Sequence, residues 1–442
     1  MPADARNRSI RNAIWTSLLS KGGTVVLQLV ALPLAMRTLG WEQFGLYASV
    51  AGVLVTVQLF ELGLGPALTH GISQAAAVGD RDRERTLAAT AFFLLLGLAA
   101  LAVSVFGLLI FSVPVAWMFG PAFGVHAADL APALWTGLVL CGLIVVLNHT
   151  DRVREGYLEA RFNNTWGAAA NFAAAGLILA TIRNAPSVVS LLIAVFGTSV
   201  LAKLGNTLQL WRSRRWLVPA WSAFRGRLAR WLLTDSLAYL VLTVVAGMVE
   251  MYVVQNLYGR LAGPVGVTAY AVLTTLTTAT LGFVLMVTTP AWPAIVDARS
   301  KGDLGWIRQT SWRLRVYAVA VAVCAGGGLL AVGPWLLPLW VGPKAAALDR
   351  TVLAGYALYL LVYAWRHTHH MLLIGLGRVR VLAVVQLVES SLVLGAAWIG
   401  MHHGGLAPLF LAMAATIALV TGWSLPWILH RDLRLGVDPA RL

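Results

Sequence analysis

The stretch Trp211–Trp231, WRSRRWLVPAWSAFRGRLARW, places six arginines and four tryptophans in the middle of a 442-residue chain. It is the longest polar interruption in a sequence that is 59% hydrophobic and 12% charged, with a mean hydropathy of +0.77. Soluble domains carry about 25% charged residues, so this chain lacks the polar side chains to coat a water-facing globule. A soluble enzyme is excluded. Outward from the central stretch, a ruler of about 20 apolar residues per bilayer crossing finds six spans on each side. They lie near 13–36, 46–77, 87–113, 131–149, 164–182 and 188–211, then 234–257, 267–296, 316–338, 351–374, 381–400 and 407–429. The expected fold is therefore all-α and polytopic, with about 12 transmembrane helices in two six-helix lobes. Residues 1–211 form the N-terminal lobe, 212–233 a basic, Trp-rich cytoplasmic linker, and 234–442 the C-terminal lobe.

Two spans, 46–77 and 267–296, are too long for one crossing. Each has an internal breaker, Gly63, Gly65 and Pro66 in the first and Pro290 with Pro293 in the second. Both are expected to cross and then bend along the cytoplasmic surface. The basic residues orient the whole. With the N-terminus inside, twenty-five of the 33 lysines and arginines fall in inner segments and five outside, at Arg37, Arg183, Arg260, Lys344 and Arg350. That asymmetry puts both termini in the cytoplasm. It also makes the net charge of +15 a mark of sidedness, so no nucleic-acid partner is expected. The central stretch suits a segment lying on anionic lipids of the inner leaflet. Arg6, Arg8 and Arg11 precede an apolar run without a small-residue cleavage site, which argues against a cleavable signal. Cys141 and Cys324 have neither metal-site nor disulfide spacing.

Ionisable groups deep in a span are functional candidates. In the first span, Ser17, Lys21, Thr24 and Gln28 share one helix face. The seventh span repeats the pattern with Asp235, Tyr239, Thr243 and Glu250. One charged stripe per half suggests a water-filled cavity between the lobes, with a polar helix seam as the alternative. Short echoes agree with an internal repeat: Leu39-Gly40 before Gly45-Leu46-Tyr47-Ala48, and Tyr258-Gly259 before Gly266 and Ala269-Tyr270-Ala271. Glu61 suits pairing with an arginine at the inner surface, Lys203 suits snorkelling, and Glu389 is central in its span. In the tenth span Tyr356, Tyr359, Tyr363, Arg366, His367 and His370 recur at helical spacing. Such a face can hold a sugar or phosphate, but an interface belt of Trp, His and Arg explains its lower part better. No metal site is expected. Walker A, GxSxG and HExxH motifs are missing, and the longest outer loop, 114–130, is short for a membrane glycosyltransferase or ligase. The chain reads as a transporter, not an enzyme.

The N-terminal sequence resembles the polysaccharide transporter family of the MOP flippase superfamily, which includes the O-antigen flippases. The residues that carry the resemblance are Arg37-Thr38-Leu39-Gly40, Glu42, Phe44-Gly45-Leu46-Tyr47 and Glu61-Leu62-Gly63-Leu64-Gly65-Pro66. Later pieces are similar too: Gly302-Asp303, Leu337-Pro338-Leu339-Trp340-Val341-Gly342-Pro343 and Gly375-Leu376-Gly377-Arg378. The resemblance implies a MATE-like architecture in the bacterial inner membrane and alternating access. The implied cargo is an undecaprenyl-pyrophosphate-linked glycan, with a glycan polymerase and chain-length machinery as partners. It makes Lys21 a cation for the pyrophosphate. Asp235 and Glu250 then set its charge or carry a coupling proton; the coupling ion is otherwise sodium, and no other cofactor is implied. Glu61, Arg366 and Glu389 are further candidates for inner-leaflet or coupling roles. The related MATE antiporters share the fold but need acidic cavity groups, which keeps Asp235 and Glu250 relevant to that alternative.

Overall fold

The computed structural model describes residues 19–57, 61, 64–184, 186–240 and 249–435. These are helical, and no strand occurs among them. We number the helices α1 Leu19–Val57, α2 Leu64–Val78, α3 Arg81–Ser112, α4 Ala127–Gly156, α5 Ala160–Asn184, α6 Val188–Ser213 and α7 Gly226–Leu240. The remainder are α8 Val254–Ser300, α9 Leu304–Val341, α10 Arg350–Gly375, α11 Val379–His402 and α12 Leu406–Leu435. Nine helical stretches among the described residues are long and apolar enough to cross a bilayer. The protein is a multi-pass membrane protein.

Helices run past the apolar spans because capped polar turns extend them. Asp80 accepts from the Arg83 backbone N–H at 2.9 Å and starts α3. Asp303 does the same for Trp306 at 3.0 Å and starts α9, so both helices begin well before their apolar runs. Of the breakers in span 46–77, Gly65 and Pro66 lie in the first turn of α2, and Gly63 lies outside the described residues. α8 stays helical through Pro290 and Pro293, and its one residue with non-helical φ/ψ is Gly263, at φ 68°. Prolines are tolerated in membrane helices where neighbouring groups satisfy the carbonyls they release.

The turns disclose the repeat better than the sequence echoes do. Gly40 and Gly263 both have positive φ and separate the first from the second, and the seventh from the eighth, span. Gly79-Asp80 and Gly302-Asp303 share a glycine at φ 73° followed by a helix cap. Gly120-Pro121 and Gly342-Pro343 each combine positive φ with a short 3-10 turn. π-helical turns recur at Leu27–Ala31 and Val249–Val253. These pairs keep the same order and nearly the same spacing through each half, as a duplicated six-helix unit would.

Two compact units result. The first comprises Met1–Leu240 with Gly259–Thr268, and the second Val241–Tyr258 with Ala269–Leu442. Within the first, Leu68, Ile72, Leu87, Leu95, Val145, Val153 and Leu210 form a buried core. Leu217 from the central stretch and Leu232 from α7 belong to the same core. In the second unit, Ile307, Leu372, Leu376, Leu382, Leu425 and Leu429 pack together.

Candidate functional site

Within the first unit, α4, α5 and α6 enclose a polar cavity of about 380 Å³, with Leu27 of α1 as part of its wall. Helical spacing builds the lining: Asn148 and Asp151 on α4; Asn163, Trp166, Ala170 and Asn171 on α5; Ser199, Lys203 and Asn206 on α6. The Lys203 ammonium donates to Asp151 Oδ2. Asn206 is 1% exposed. Its amide donates to Asp151 Oδ1 and to Asn163 Oδ1, both at 3.0 Å. Asn163 in turn donates to the Asp151 carbonyl at 2.9 Å. Trp166 Nε1 donates to Gln209 Oε1 at 3.0 Å, which fixes the indole. A Cβ on Gly205 would stand 2.5 Å from that ring. Only glycine lets the indole lie so close to α6.

Of the stripe expected on the first span, Thr24 accepts from Asn171 Nδ2 at 2.9 Å and so holds a residue of the cavity wall. Lys21 and Gln28 are half-buried on the same helix. No ion pair or hydrogen bond of Lys21 occurs among the described residues. Ser17 and Thr243 lie outside the described residues. Asp235 and Tyr239 fall on α7 and Glu250 in the second π-helical turn, with their side chains outside the described set. Glu61 meets Arg152 Nε at 3.3 Å and accepts from Asn148 Nδ2 at 2.9 Å. The Lys203 ammonium is held by the Asp151 carboxylate of a neighbouring helix.

Where α4 turns into α5, a second charged network ties the central stretch to the first unit. Arg154, 1% exposed, donates to Glu159 Oε2 at 3.1 Å and to the Asn206 carbonyl at 3.2 Å. Arg214 grips the same carboxylate at 2.7 and 3.0 Å, and lies 4.1 Å over the Tyr157 ring. Hydrogen bonding from Glu159 holds the Arg214 guanidinium above its ordinary pKa. Tyr157 and Trp216 both donate to Glu84, at 2.6 and 2.9 Å. Burial and that bond push the Tyr157 hydroxyl well above its usual pKa, so it remains a donor. Glu159→Leu strands the buried Arg154 and is expected to destabilise by about 3 kcal/mol. It should also expose the chain after Arg214 and Arg215 to trypsin. Unchanged melting temperature and unchanged cleavage would show that Glu159 does not hold the central stretch.

The second unit has its own buried polar centre. Glu389, 0% exposed, accepts from Arg366 Nη1 and from Thr421 Oγ1, with Gln386 beside it donating to Ser390 at 3.3 Å. Tyr356 and Tyr359 of the same α10 face pack on Phe410 at 5.5 and 5.4 Å between ring centroids. Tyr356 also hydrogen-bonds Thr277 at 3.0 Å. The interface belt expected for this helix is therefore corrected. Arg366, His369, Tyr356, Tyr359 and Tyr363 are buried, because α10 is packed by α9 and α12, while Trp365, His367 and His370 are half-buried.

A family model described as "Polysaccharide biosynthesis protein" matches residues 9–298. The chain belongs to the polysaccharide biosynthesis protein family. No curated protein sequence matches it. Among solved structures, this family member is similar to an inward-facing multidrug resistance MATE family transporter of the MOP superfamily. The TM-score is 0.81 at 13% identity, covering 96% of this chain and 100% of that one. It is also similar to an outward-facing multidrug resistance MATE transporter, with TM-score 0.70, 14% identity, and 97% of both chains covered. A MOP superfamily transporter from Pyrococcus furiosus, described as having a binding pocket of reverse polarity, gives TM-score 0.70 at 14% identity, covering 96% of this chain and 97% of that one. The family member thus has the fold of the MOP transporters. Sequence reasoning missed the Asp151, Lys203 and Asn206 cluster, although Asp151 sits at the edge of its span and Lys203 and Asn206 recur at helical spacing.

Proposed function

We propose that the protein is a lipid-linked oligosaccharide flippase. It moves an undecaprenyl-pyrophosphate glycan from the cytoplasmic to the periplasmic leaflet of the bacterial inner membrane by alternating access. The observation that carries this reading is the polysaccharide biosynthesis family match over residues 9–298, on a chain with a transporter fold. Such cargo joins an anionic headgroup to a neutral, hydroxyl-rich glycan. Lys21 suits the headgroup as a cation in an apolar helix. Amide side chains suit the glycan. Asp235 and Glu250 are the groups for proton or sodium coupling, and the basic linker faces anionic lipids. The glycan polymerase and chain-length machinery would receive the product.

The competing reading is a cation-coupled antiporter, favoured by the MATE likeness of the fold. Reconstitution separates the two. Purified protein in proteoliposomes should carry a fluorescent lipid-linked oligosaccharide between leaflets and should leave a cationic dye unmoved. Dye efflux driven by a proton or sodium gradient, with no glycolipid movement, would establish the antiporter.

A further inference from the structure

The cavity of the first unit has a chemistry of its own. Its cation and its anion, Lys203 and Asp151, neutralise each other. What remains on the lining is a set of neutral amides and the Ser199 hydroxyl. Asn206 spends both amide hydrogens on Asp151 and Asn163, and its buried Oδ1 has no partner among the described residues. Asn148 and Asn171 donate one hydrogen each, to Glu61 and Thr24, which leaves each a second N–H donor and a carbonyl acceptor. With the lining's one cation paired to its one anion, no uncompensated charge is left there to hold an ionic guest. A neutral guest rich in hydroxyls, which both donate and accept, suits such a lining. The indole of Trp166, locked by Gln209 and seated on Gly205, supplies a flat apolar wall of the kind that receives the C–H face of a ring. The volume of about 380 Å³ lies within the range of about 300–1,000 Å³ usual for small-molecule sites.

We infer that this cavity is a binding site for one neutral, hydroxylated ring of monosaccharide size. That the ring belongs to a lipid-linked glycan rests on the flippase reading; the chemistry of the pocket does not.

The test uses full-length protein in which Cys324, the exposed native thiol, is replaced by serine; Cys141 is buried. Ser199→Cys then reports on the cavity through its rate of reaction with a small thiol reagent. Methyl glucoside, methyl mannoside and N-acetylglucosamine are added separately, with inorganic pyrophosphate, sodium and a cationic dye as counter-probes. At least one sugar is expected to slow labelling several-fold, and the counter-probes are expected to leave it unchanged. Asn171→Leu and Trp166→Ala, checked for unaltered gel-filtration profile, should each remove the protection. A second arm compares membranes from cells that do and do not make lipid-linked glycan. Protection confined to the former identifies the lipid-linked source, and protection by free sugars alone identifies a soluble one. No protection in either arm, or protection by pyrophosphate, sodium or dye, overturns the inference. Glycolipid movement in proteoliposomes is scored independently. Its failure beside intact sugar protection removes the flippase reading alone.

Discussion

Lys21→Ala is expected to bring glycan export to background while the protein still reaches the membrane. Two lysines sit deep in the helices of the first unit, and they differ in how their charge is compensated. Lys203 is consumed by Asp151, so its charge is structural. Lys21 makes no such pair among the described residues and lies one turn from Thr24, which Asn171 engages. A lysine in an apolar helix is retained against a cost of about 2.5–3.5 kcal/mol at the bilayer centre on insertion scales. A headgroup phosphate would repay it. Removing the ammonium should therefore not destabilise the protein and should abolish cargo binding. Lys21→Arg should keep part of the export, since charge remains while donor geometry changes. The measurement is complementation of a flippase-null strain, read as surface glycan at matched membrane protein. Normal export by Lys21→Ala would leave Lys21 an ordinary residue of a helix seam.

The contrast between those two lysines also marks what was legible in the sequence. Long apolar runs and the asymmetry of arginines are one-dimensional signals, so α4 to α6 and α10 to α12 lie close to the spans read from composition. The extended starts of α3 and α9 were recoverable from Gly-Asp followed by polar helix formers, because Asp80 and Asp303 are caps with a local mechanism. The continuity of α8 through Pro290 and Pro293 was not, since tolerance of proline depends on neighbours distant in sequence. The same limit applies to the site. Helical periodicity put Thr24 on a polar face, and Asn171 does meet it. Periodicity along one helix cannot say which helix lies opposite. Asp151, Asn163 and Asn206 each read as an isolated polar residue until α4, α5 and α6 pack together. Arg366 and Glu389 read as isolated charges on separate helices for the same reason, and the lower part of α10 reads as a belt until Arg366 and His369 are seen to be buried.

Glu389→Leu is expected to cost the protein about 3–5 kcal/mol, because it leaves the buried guanidinium of Arg366 without its carboxylate. Arg366 is 4% exposed and Glu389 0%, so water cannot take over the lost interaction. Thr421 Oγ1, which donates to the other carboxylate oxygen, would lose that acceptor as well. Glu389→Gln keeps the shape but not the charge and should fall between wild type and leucine. The double variant Arg366→Met with Glu389→Leu removes both charges together. Replacing a buried pair by apolar groups of similar volume is often neutral or stabilising, so the double variant should recover most of the melting temperature lost by the single one. Thermal melts in detergent of wild type, Glu389→Leu, Arg366→Met and the double variant form a complete cycle. A double variant as unstable as Glu389→Leu alone would show that the single loss is a packing defect, with no coupling between the charges. If the double variant folds and still fails to move glycolipid in proteoliposomes, the pair acts in transport. If it transports normally, the pair serves only to hold α10, α11 and α12 together.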